Sequence, residues 1–127
     1  MRFLLGVVQR DAGKTDEAIG TFTQLTQDYP ELPEPYNNLA ALYAAQKQLD
    51  KALAALQMAL RINPAYGTAH ENLGDLYVKL AEQSYNQALK LSPASKSSLE
   101  PKLTLTRQLL AAKAPCKGAD TPCARVP

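Results

Sequence analysis

The sequence has little of what several common classes of protein are built from. Two cysteines among 127 residues are too few for a fold held together by disulfides, and a single histidine excludes a site built on paired histidines. No run approaches the roughly 18 apolar residues that a membrane-spanning helix needs. The formal net charge is +2, with both signs interspersed, so the chain lacks the field that attracts nucleic acid or anionic lipid. We therefore expect no nucleic-acid partner and no membrane span.

The sequence is rich in residues that favour helices. Hydrophobic residues make up 46% of the chain, which excludes disorder for most of it. From Leu4 to Leu91 the residues Ala, Leu, Gln, Lys and Glu are frequent, and β-branched residues are few. From residue 114 onward, Pro and Gly are frequent and no apolar period is left. These features predict an all-α domain over 1–113 and a tail or linker over 114–127.

Apolar and small residues recur with a period of 34 residues. Repetition at a fixed interval of about 20 to 50 residues is typical of stacked arrays. Positions 34 apart carry the same or similar residues: Leu5, Leu39 and Leu73; Gly6, Ala40 and Gly74; Tyr43 and Tyr77; Ala18 and Ala52; Phe22 and Leu56; Pro30 and Pro64. This spacing predicts repeats over about 1–32, 33–66 and 67–93.

Each repeat has the pattern of two helices joined by a turn. In the second copy, apolar residues share one face of a helix predicted near 34–46 and of another near 50–62. Gly13-Lys14 and Gln46-Lys47-Gln48 lie where the turns within the repeats are expected. Because proline fits only the first turn of a helix, three prolines are expected to end the second helices and begin the next unit: Pro30, Pro33 and Pro64.

These residues resemble the tetratricopeptide repeat, in which an aromatic residue, Leu-Gly, Tyr, Ala, a second aromatic, a small residue and a closing Pro follow at fixed spacing. The second copy carries the pattern as Tyr36, Leu39, Ala40, Tyr43, Ala52, Leu56, Ala59 and Pro64. The resemblance implies an all-α superhelix of helix pairs that serves as a protein–protein interaction module. The alanine-rich repeats and the Pro-Cys tail are similar to bacterial members of the family.

The third copy departs from the pattern because it is five residues shorter. Tyr43 and Leu56 are thirteen positions apart, whereas Tyr77 and its counterpart Tyr85 are only eight apart. The segment between these tyrosines contains no Gly, Pro, Asn or Asp, so no turn chemistry replaces the missing loop. We predict one uninterrupted helix over 67–91, on the order of 37 Å long.

A single helix here leaves an apolar face with Tyr85 and Leu89 in need of a partner. One candidate is a terminal helix at about 98–113, with Ser98 as its cap and Pro101 in its first turn. The other is the same helix of a second chain, exchanged in a homodimer. The full prediction is two helix pairs, one long fused helix and a C-terminal helix.

The resemblance also implies where a partner binds, since the first helices of this family line a concave groove for peptides. The groove positions are Asn38, Ala41, Ala45, Asn72, Asp75 and Lys79. An Asn in the slot of Asn38 often holds a ligand's backbone, because a carboxamide donates and accepts at once. The alternative is that Asn38 and Asn72 simply belong to a solvated helix face. Family members that clamp a terminal carboxylate need Lys or Arg at slots that here hold Phe3, Thr68 and Asn72, so that clamp is absent.

Other short patterns point to no catalysis. Gly13-Lys14-Thr15 lacks the first glycine of a phosphate-binding loop, and no Ser or Cys has a base within a motif. His70 occupies an aromatic slot, and we interpret it as a packing residue. Cys116 and Cys123 are a candidate disulfide, with free thiols as the alternative; a bridge would favour the cell envelope or periplasm, and free thiols the cytoplasm.

We therefore expect a non-enzymatic module, without a metal or cofactor, that binds a protein or peptide partner in its groove. The alternative function is self-assembly, as part of a larger protein. In that case the long third helix and the apolar segment Phe3–Val8 would hold copies of the chain together.

Overall fold

The computed structural model describes residues 2–112, and within them the chain folds into six α-helices and one short 3-10 turn, with no strand. The helices are α1 (Arg2–Asp11), α2 (Thr15–Asp28), α3 (Glu34–Ala45), α4 (Leu49–Ile62), α5 (Gly67–Leu91) and α6 (Lys96–Ala112), and the 3-10 turn is Pro93–Ser95. The predicted all-α helical-repeat fold is confirmed, including the two pairs, the uninterrupted long helix and the terminal helix. The chain divides into two compact units, of which the first ends at Leu76 and the second begins at Tyr77.

The 34-residue period is present in the backbone as well as in the sequence. The turns between α1 and α2 and between α3 and α4 both contain a residue with positive φ, Gly13 at 79° and Lys47 at 63°. The Lys14 amide donates to the Gln9 carbonyl oxygen at 2.9 Å, and the Gln48 amide donates to the Tyr43 carbonyl oxygen at the same distance. The two turns therefore have the same geometry, and both lie where the sequence predicts them.

In the first unit the core lies between helices that follow one another in the chain. Helix α1 packs on α2, α2 on α3, and α3 on α4. The largest fully buried side chains are Phe22, Leu56 and Pro35. A Cβ atom at Gly6 would lie 2.7 Å from the ring of Phe22, so the close approach of α1 and α2 requires glycine there. Four alanines at matching or pattern positions of the repeats are likewise buried: Ala18, Ala40, Ala52 and Ala59.

The start of α1 is tied to the end of α2. The guanidinium of Arg2 donates to the carboxylate of Asp28 and lies 5.5 Å from the centroid of the Tyr29 ring. At the next residue of α1, the rings of Phe3 and Phe22 meet edge to face, with centroids 5.5 Å apart. Hydrogen bonds, first from Arg2 and then from Gln24, hold the pKa of Asp28 below its usual value.

Helix α5 runs without a break for 25 residues, as the missing turn predicts. In its first part, Gly74 has no heavy atom within 4 Å of where a Cβ would lie. Tyr77, the counterpart of the half-buried Tyr43, is 52% exposed. Within residues 2–112, therefore, no second helix packs closely against these two positions.

In the second unit, α6 provides the cover that Tyr85 needs. The Nζ atom of Lys102 lies 5.9 Å from the centroid of the Tyr85 ring, and Arg107 Nε donates to Glu82 Oε2 at 3.3 Å. Leu99 and Leu103 of α6 are buried. Of the two predicted partners for this face, the terminal helix of the same chain therefore contacts Tyr85.

The predicted start of the terminal helix is wrong by two residues. The 3-10 turn runs directly into α6 at Lys96, so Ser98 lies inside the helix, where its hydroxyl donates to the Ser95 carbonyl oxygen at 2.9 Å. Pro101 is consequently in the helix interior and not in the first turn. The Ser97 carbonyl cannot accept the usual helical hydrogen bond, because proline has no N–H to donate.

Among residues 2–112, no helix combines the length and apolar character needed to cross a membrane. The proposed extent of the repeat domain, 1–113, and the separate tail, 114–127, stay predictions. The whole of the tail, with both of its cysteines, lies outside the described residues.

Candidate functional site

Asn38, the central residue of the predicted groove, lies half-buried on α3 with its side chain already engaged. Its Nδ2 donates to the Glu34 carbonyl oxygen at 2.9 Å, and its Oδ1 accepts from Arg10 Nη1 at 3.0 Å. A carboxamide has two hydrogens to donate and two lone pairs on its oxygen. One hydrogen and one lone pair of Asn38 thus stay available to a ligand, with the amide plane fixed by the other two bonds.

Arg10 is the residue of this surface that the sequence analysis missed. Its Nη1 reaches Asn38 on α3 and its Nε donates to Asp11 Oδ1 at 3.3 Å, yet 37% of its side chain is exposed. The 34-residue period gave no signal for it, because its counterpart in the second copy is Ala44, which is not one of the predicted groove positions. Two sides of the guanidinium are held in place, and its other N–H groups stay open to acceptors.

Ala41 and Ala45 lie one and two turns after Asn38 on α3, and both are exposed. Methyl side chains leave the backbone of this helix face accessible. The structure therefore brings together a polar pair, Arg10 and Asn38, beside a strip without large side chains.

Asn72 has a different environment from Asn38, although the two are 34 residues apart. Its Nδ2 donates to Asn37 Oδ1 at 2.9 Å, linking α5 to α3. Asn37 is 7% exposed, and the sequence analysis did not identify it because Phe3 and Glu71 occupy its slot in the other copies. The bond to a buried acceptor makes Asn72 part of the packing between first helices.

Tyr66 completes the polar contacts around Asn37. Burial, followed by the nearby charge of Glu34, raises the pKa of Tyr66 above its usual value, while a hydrogen bond with Asn37 acts in the opposite direction. The loop before α5 is thus joined to the same buried asparagine that holds Asn72.

The other two predicted groove residues lie one turn apart on α5. Asp75 and Lys79 are both half-buried, and both have interactions within the chain. Asp75 belongs to the first unit and Lys79 to the second. Asn38, Ala41, Ala45, Asn72 and Asp75 therefore belong to one compact unit, and Lys79 to the other.

The interpretation of His70 as a packing residue is wrong. Its ring is exposed, and Nε2 lies 2.8 Å from the carbonyl oxygen of Pro64. The neighbouring Ala69 is fully buried, as is its counterpart Pro35 in the second repeat. The ring of His70 instead bonds the loop that precedes α5.

Residues 2–112 contain no cluster of His, Cys, Asp and Glu that could hold a metal ion. Cys116 and Cys123, the candidate disulfide, lie outside the described part of the chain.

Comparison with known proteins agrees with this architecture. The family model of the tetratricopeptide repeat matches residues 9–73. The chloroplastic tetratricopeptide repeat domain-containing protein PYG7 of Arabidopsis thaliana is 36% identical over 74 residues, covering 54% of this chain and 25% of that protein. Heat shock protein STI1 of Saccharomyces cerevisiae is 34% identical over 94 residues, covering 67% of this chain and 15% of that protein. The chain thus spans a quarter or less of these relatives.

A solved structure supports the same assignment. The first repeat domain of Spaghetti (RPAP3), bound to the HSP90 peptide SRMEEVD, is similar with a TM-score of 0.60 and 25% identity, over 87% of this chain and 90% of that one. Residues 9–73, which the family model matches, contain both copies of the positive-φ turn and the Arg10–Asn38 contact. The chain belongs to the tetratricopeptide repeat family, whose members serve as protein–protein interaction modules.

Proposed function

We propose that this chain is a non-enzymatic module that binds an extended segment of a partner protein along the first helices of its repeats. The observation that carries the proposal is the 3.0 Å bond between Arg10 and Asn38, which aligns polar groups of α1 and α3 beside exposed alanines. An extended segment presents a backbone donor and acceptor at every residue. Asn38 would bond that backbone, and Arg10 would bond a carbonyl or carboxylate oxygen.

The remaining groove residues would play smaller parts. Ala41 and Ala45 would form a floor against which the segment lies, and Asp75 and Lys79 would contribute modest charge pairing. Asn72 is better suited to holding α5 against α3 than to binding a ligand, because its amide nitrogen is bonded to the buried Asn37.

The likeness to RPAP3 suggests a peptide ligand, but not one held by its carboxyl terminus. Clamping a terminal carboxylate requires cations at the slots filled here by Phe3, Thr68 and Asn72, and none of these side chains is charged. We infer that the partner is recognised through an internal segment. Blocking the C-terminus of a ligand should therefore leave its affinity unchanged.

The test uses peptides selected from a random displayed library on the full chain. Titration of a selected peptide should give at least tenfold weaker binding to Asn38→Ala and to Arg10→Ala than to the unmodified chain. Gln57→Ala, which removes an exposed carboxamide from the second helix α4, is the matched control and should bind normally. Equal affinity for all four proteins would refute the groove assignment. The peptide SRMEEVD, with a free and an amidated C-terminus, tests the absence of the carboxylate clamp.

We infer that residues 67–93 are a third repeat that lost its internal turn. Tyr85, Ala88 and Pro93 are separated by the same intervals as the second-helix residues Leu56, Ala59 and Pro64. A bacterial source, suggested by composition alone, gains no support from relatives in a plant and a yeast.

Self-assembly through α5 is the alternative. The contact of Lys102 with Tyr85 argues against it, because α6 of the same chain already lies beside one of the side chains that an exchanged helix would have to cover. Sedimentation equilibrium of the full chain checks this point. A monomer at micromolar concentration is expected, and a dimer unaffected by Asn38→Ala would favour assembly.

A further inference from the structure

The charge of the chain is divided unequally between its two compact units. The first unit, Met1–Leu76, carries nine Asp and Glu against six Lys and Arg, whereas Tyr77–Pro127 carries three against eight. The formal net charge of +2 for the whole chain therefore conceals a first unit with an excess of three negative charges. All of the predicted groove residues except Lys79 belong to this unit, so the groove has to be considered by the charges of its own helices.

Two exposed carboxylates lie on the groove face of the first helices. Glu34 is four residues before Asn38 on α3. Glu71 is four residues before Asp75 on α5. Because residues four apart lie on the same face of a helix, each carboxylate shares its face with a predicted groove residue. Neither carboxylate forms an ion pair with another residue of the described range 2–112.

A hydrogen bond between α3 and α5 holds the two helices together beside these carboxylates. Asn72 Nδ2, in the residue after Glu71, donates to Asn37 Oδ1 at 2.9 Å, and Asn37 is three residues after Glu34. Burial, followed by the charge of Glu34, raises the pKa of Tyr66, which forms a hydrogen bond with Asn37. Glu34 and Glu71 are therefore both neighbours of one fixed contact between first helices.

The cations of α1 do not offset these carboxylates, because both are already paired. Arg10 Nε donates to Asp11 Oδ1 at 3.3 Å, and the guanidinium of Arg2 donates to the carboxylate of Asp28 on α2. Helix α3 contains no Lys or Arg. These two helices therefore present no unpaired positive charge to a ligand.

Helix α5 adds charges of both signs to the groove. Asp75 and Lys79 are one turn apart, and both have interactions within the chain. The sign of the charge that a ligand meets beside the contact between α3 and α5 is therefore set by Glu34 and Glu71, and it is negative.

We propose that the partner segment bound in the groove is basic, with a Lys or Arg side chain directed at Glu34 and Glu71. This inference rests on the proposed function, because the carboxylates select a ligand only if an extended segment lies along the first helices. Arg10 then bonds a backbone carbonyl oxygen of the segment, since its charge is already paired with Asp11. An acidic segment is repelled by the same two carboxylates, so the charge of the groove also rejects unsuitable partners.

The first experiment counts charged residues in the peptides that the full chain selects from the random displayed library. Selection should raise the ratio of Lys and Arg to Asp and Glu about twofold or more over the unselected library. The double variant Glu34→Gln, Glu71→Gln should select peptides without this bias. The double variant Glu17→Gln, Asp50→Asn removes exposed carboxylates from the second helices α2 and α4, and as the matched control it should retain the bias. A pool enriched in acidic residues, or one without charge bias, would overturn the inference.

Titration of one selected basic peptide measures the size of the effect. Because ion pairs between exposed side chains are individually weak, Glu34→Gln, Glu71→Gln should bind the peptide about three- to tenfold more weakly at low ionic strength. Most of this difference should disappear in about 0.5 M salt, which screens exposed charges. The acidic peptide SRMEEVD should show the opposite response and bind the double variant more tightly than the unmodified chain.

The same titrations separate failure of this inference from failure of the proposed function. A selected peptide that binds Asn38→Ala as tightly as the unmodified chain would refute the groove, and the inference with it. A peptide that requires Asn38 but binds Glu34→Gln, Glu71→Gln with undiminished affinity at low ionic strength would leave the groove intact. That result would refute only the preference for a basic segment.

Discussion

Gly6 and Gly74 occupy the same slot of the repeat but have different surroundings. A Cβ at Gly6 would meet the Phe22 ring, whereas a Cβ at Gly74 would meet open space. The slot requires a small residue only where a second helix packs against the first. One residue type thus has two roles, set by the presence or absence of a neighbouring helix.

Replacing each glycine by alanine should therefore change stability in opposite directions. Gly6→Ala should lower the free energy of unfolding by about 1–3 kcal/mol, the usual cost of overpacking. Gly74→Ala should raise it by up to about 1 kcal/mol, because glycine inside a helix is costly relative to alanine. Urea denaturation of the two variants measures both values. A loss of stability in Gly74→Ala would mean that its slot is covered after all.

Lys47 is a second position where the equivalent residues of the two repeats differ, because a positive φ costs more conformational free energy for lysine than for glycine. It adopts the positive φ that Gly13 adopts in the first repeat. Lys47→Gly should raise the free energy of unfolding by about 0.5–1 kcal/mol, because the left-handed region penalises a Cβ and not a glycine. Lys47→Ala is the control, since it removes the charge and keeps the Cβ. If denaturation experiments show the same increase in the free energy of unfolding for both variants, the loss of the charge, and not the relief of backbone strain, causes the increase.

The limits of prediction are clearest at Asn38 and Asn72. The period placed both on first helices, but it could not indicate that one bonds Arg10 and the other the buried Asn37. Those partners come from other helices, and their slots hold unrelated residues in each copy. Side-chain hydrogen bonds depend on tertiary neighbours, which a repeat pattern does not specify.

At the scale of elements, most helices could be predicted because strong helix formers, turn residues and spacing agreed. Helix α5 was predicted over its full length from the absence of any turn residue between Tyr77 and Tyr85. The start of α6 was missed because Ser98 and Pro101 suggested a first turn, while the 3-10 turn at Pro93–Ser95 begins the helix earlier. Local cap signals are weak where one helical segment leads directly into another.

The proposal that residues 67–93 are a shortened third repeat can be tested by restoring the missing length. Insertion of Gln-Lys-Gln-Leu-Asp, the sequence of residues 46–50, between Lys79 and Leu80 places Ala81 and Tyr85 in the slots of Ala52 and Leu56. We expect α5 to divide into two antiparallel helices, because the insertion supplies both the turn and the spacing. NMR secondary chemical shifts locate the new boundary.

A matched control insertion uses five residues without turn chemistry, Ala-Lys-Ala-Glu-Ala, at the same point. It should simply lengthen the helix. As an independent readout, Gly74→Ala should become destabilising only with the turn-forming insertion. A continuous helix in both proteins would show that the second half of α5 is no longer a repeat helix.

At the scale of the whole molecule, the fold could be predicted far better than the site. A period repeated over three copies averages out local ambiguity, and it defines which helices are neighbours. The site depends on features that occur once, such as the bond between Arg10 and Asn38. A feature that occurs only once cannot be recognised from the 34-residue period.

Stability should depend on pH through the link between the two ends of the first repeat. The pKa of Asp28 is lowered from its usual value of 3.8 in the folded chain, mainly by the hydrogen bond from Arg2. The unfolded state therefore binds more protons below that pH, and the contribution is complete above about pH 4–5 and lost as pH falls through the folded-state pKa. Asp28→Asn should flatten the decline of unfolding free energy between about pH 4 and 2.

The comparison for this prediction is Glu31→Gln, which neutralises an exposed carboxylate three residues away. It should retain the acid-dependent decline of the unmodified chain. Denaturation curves across that pH range give the free energy of unfolding of Asp28→Asn, Glu31→Gln and the unmodified chain, and so test this prediction. Identical slopes for Asp28→Asn and the unmodified chain would mean that the Arg2–Asp28 ion pair contributes nothing in solution.

The boundary between the two compact units lies at Leu76 and Tyr77, inside α5 and not in a loop. A protease needs several residues of extended chain, and the backbone amides around this boundary are committed to helical hydrogen bonds. Digestion that releases either unit intact must therefore wait for local melting of the helix. A fragment cut at this boundary would begin or end with a frayed turn of α5. Truncation there would therefore unfold part of the helix in both fragments.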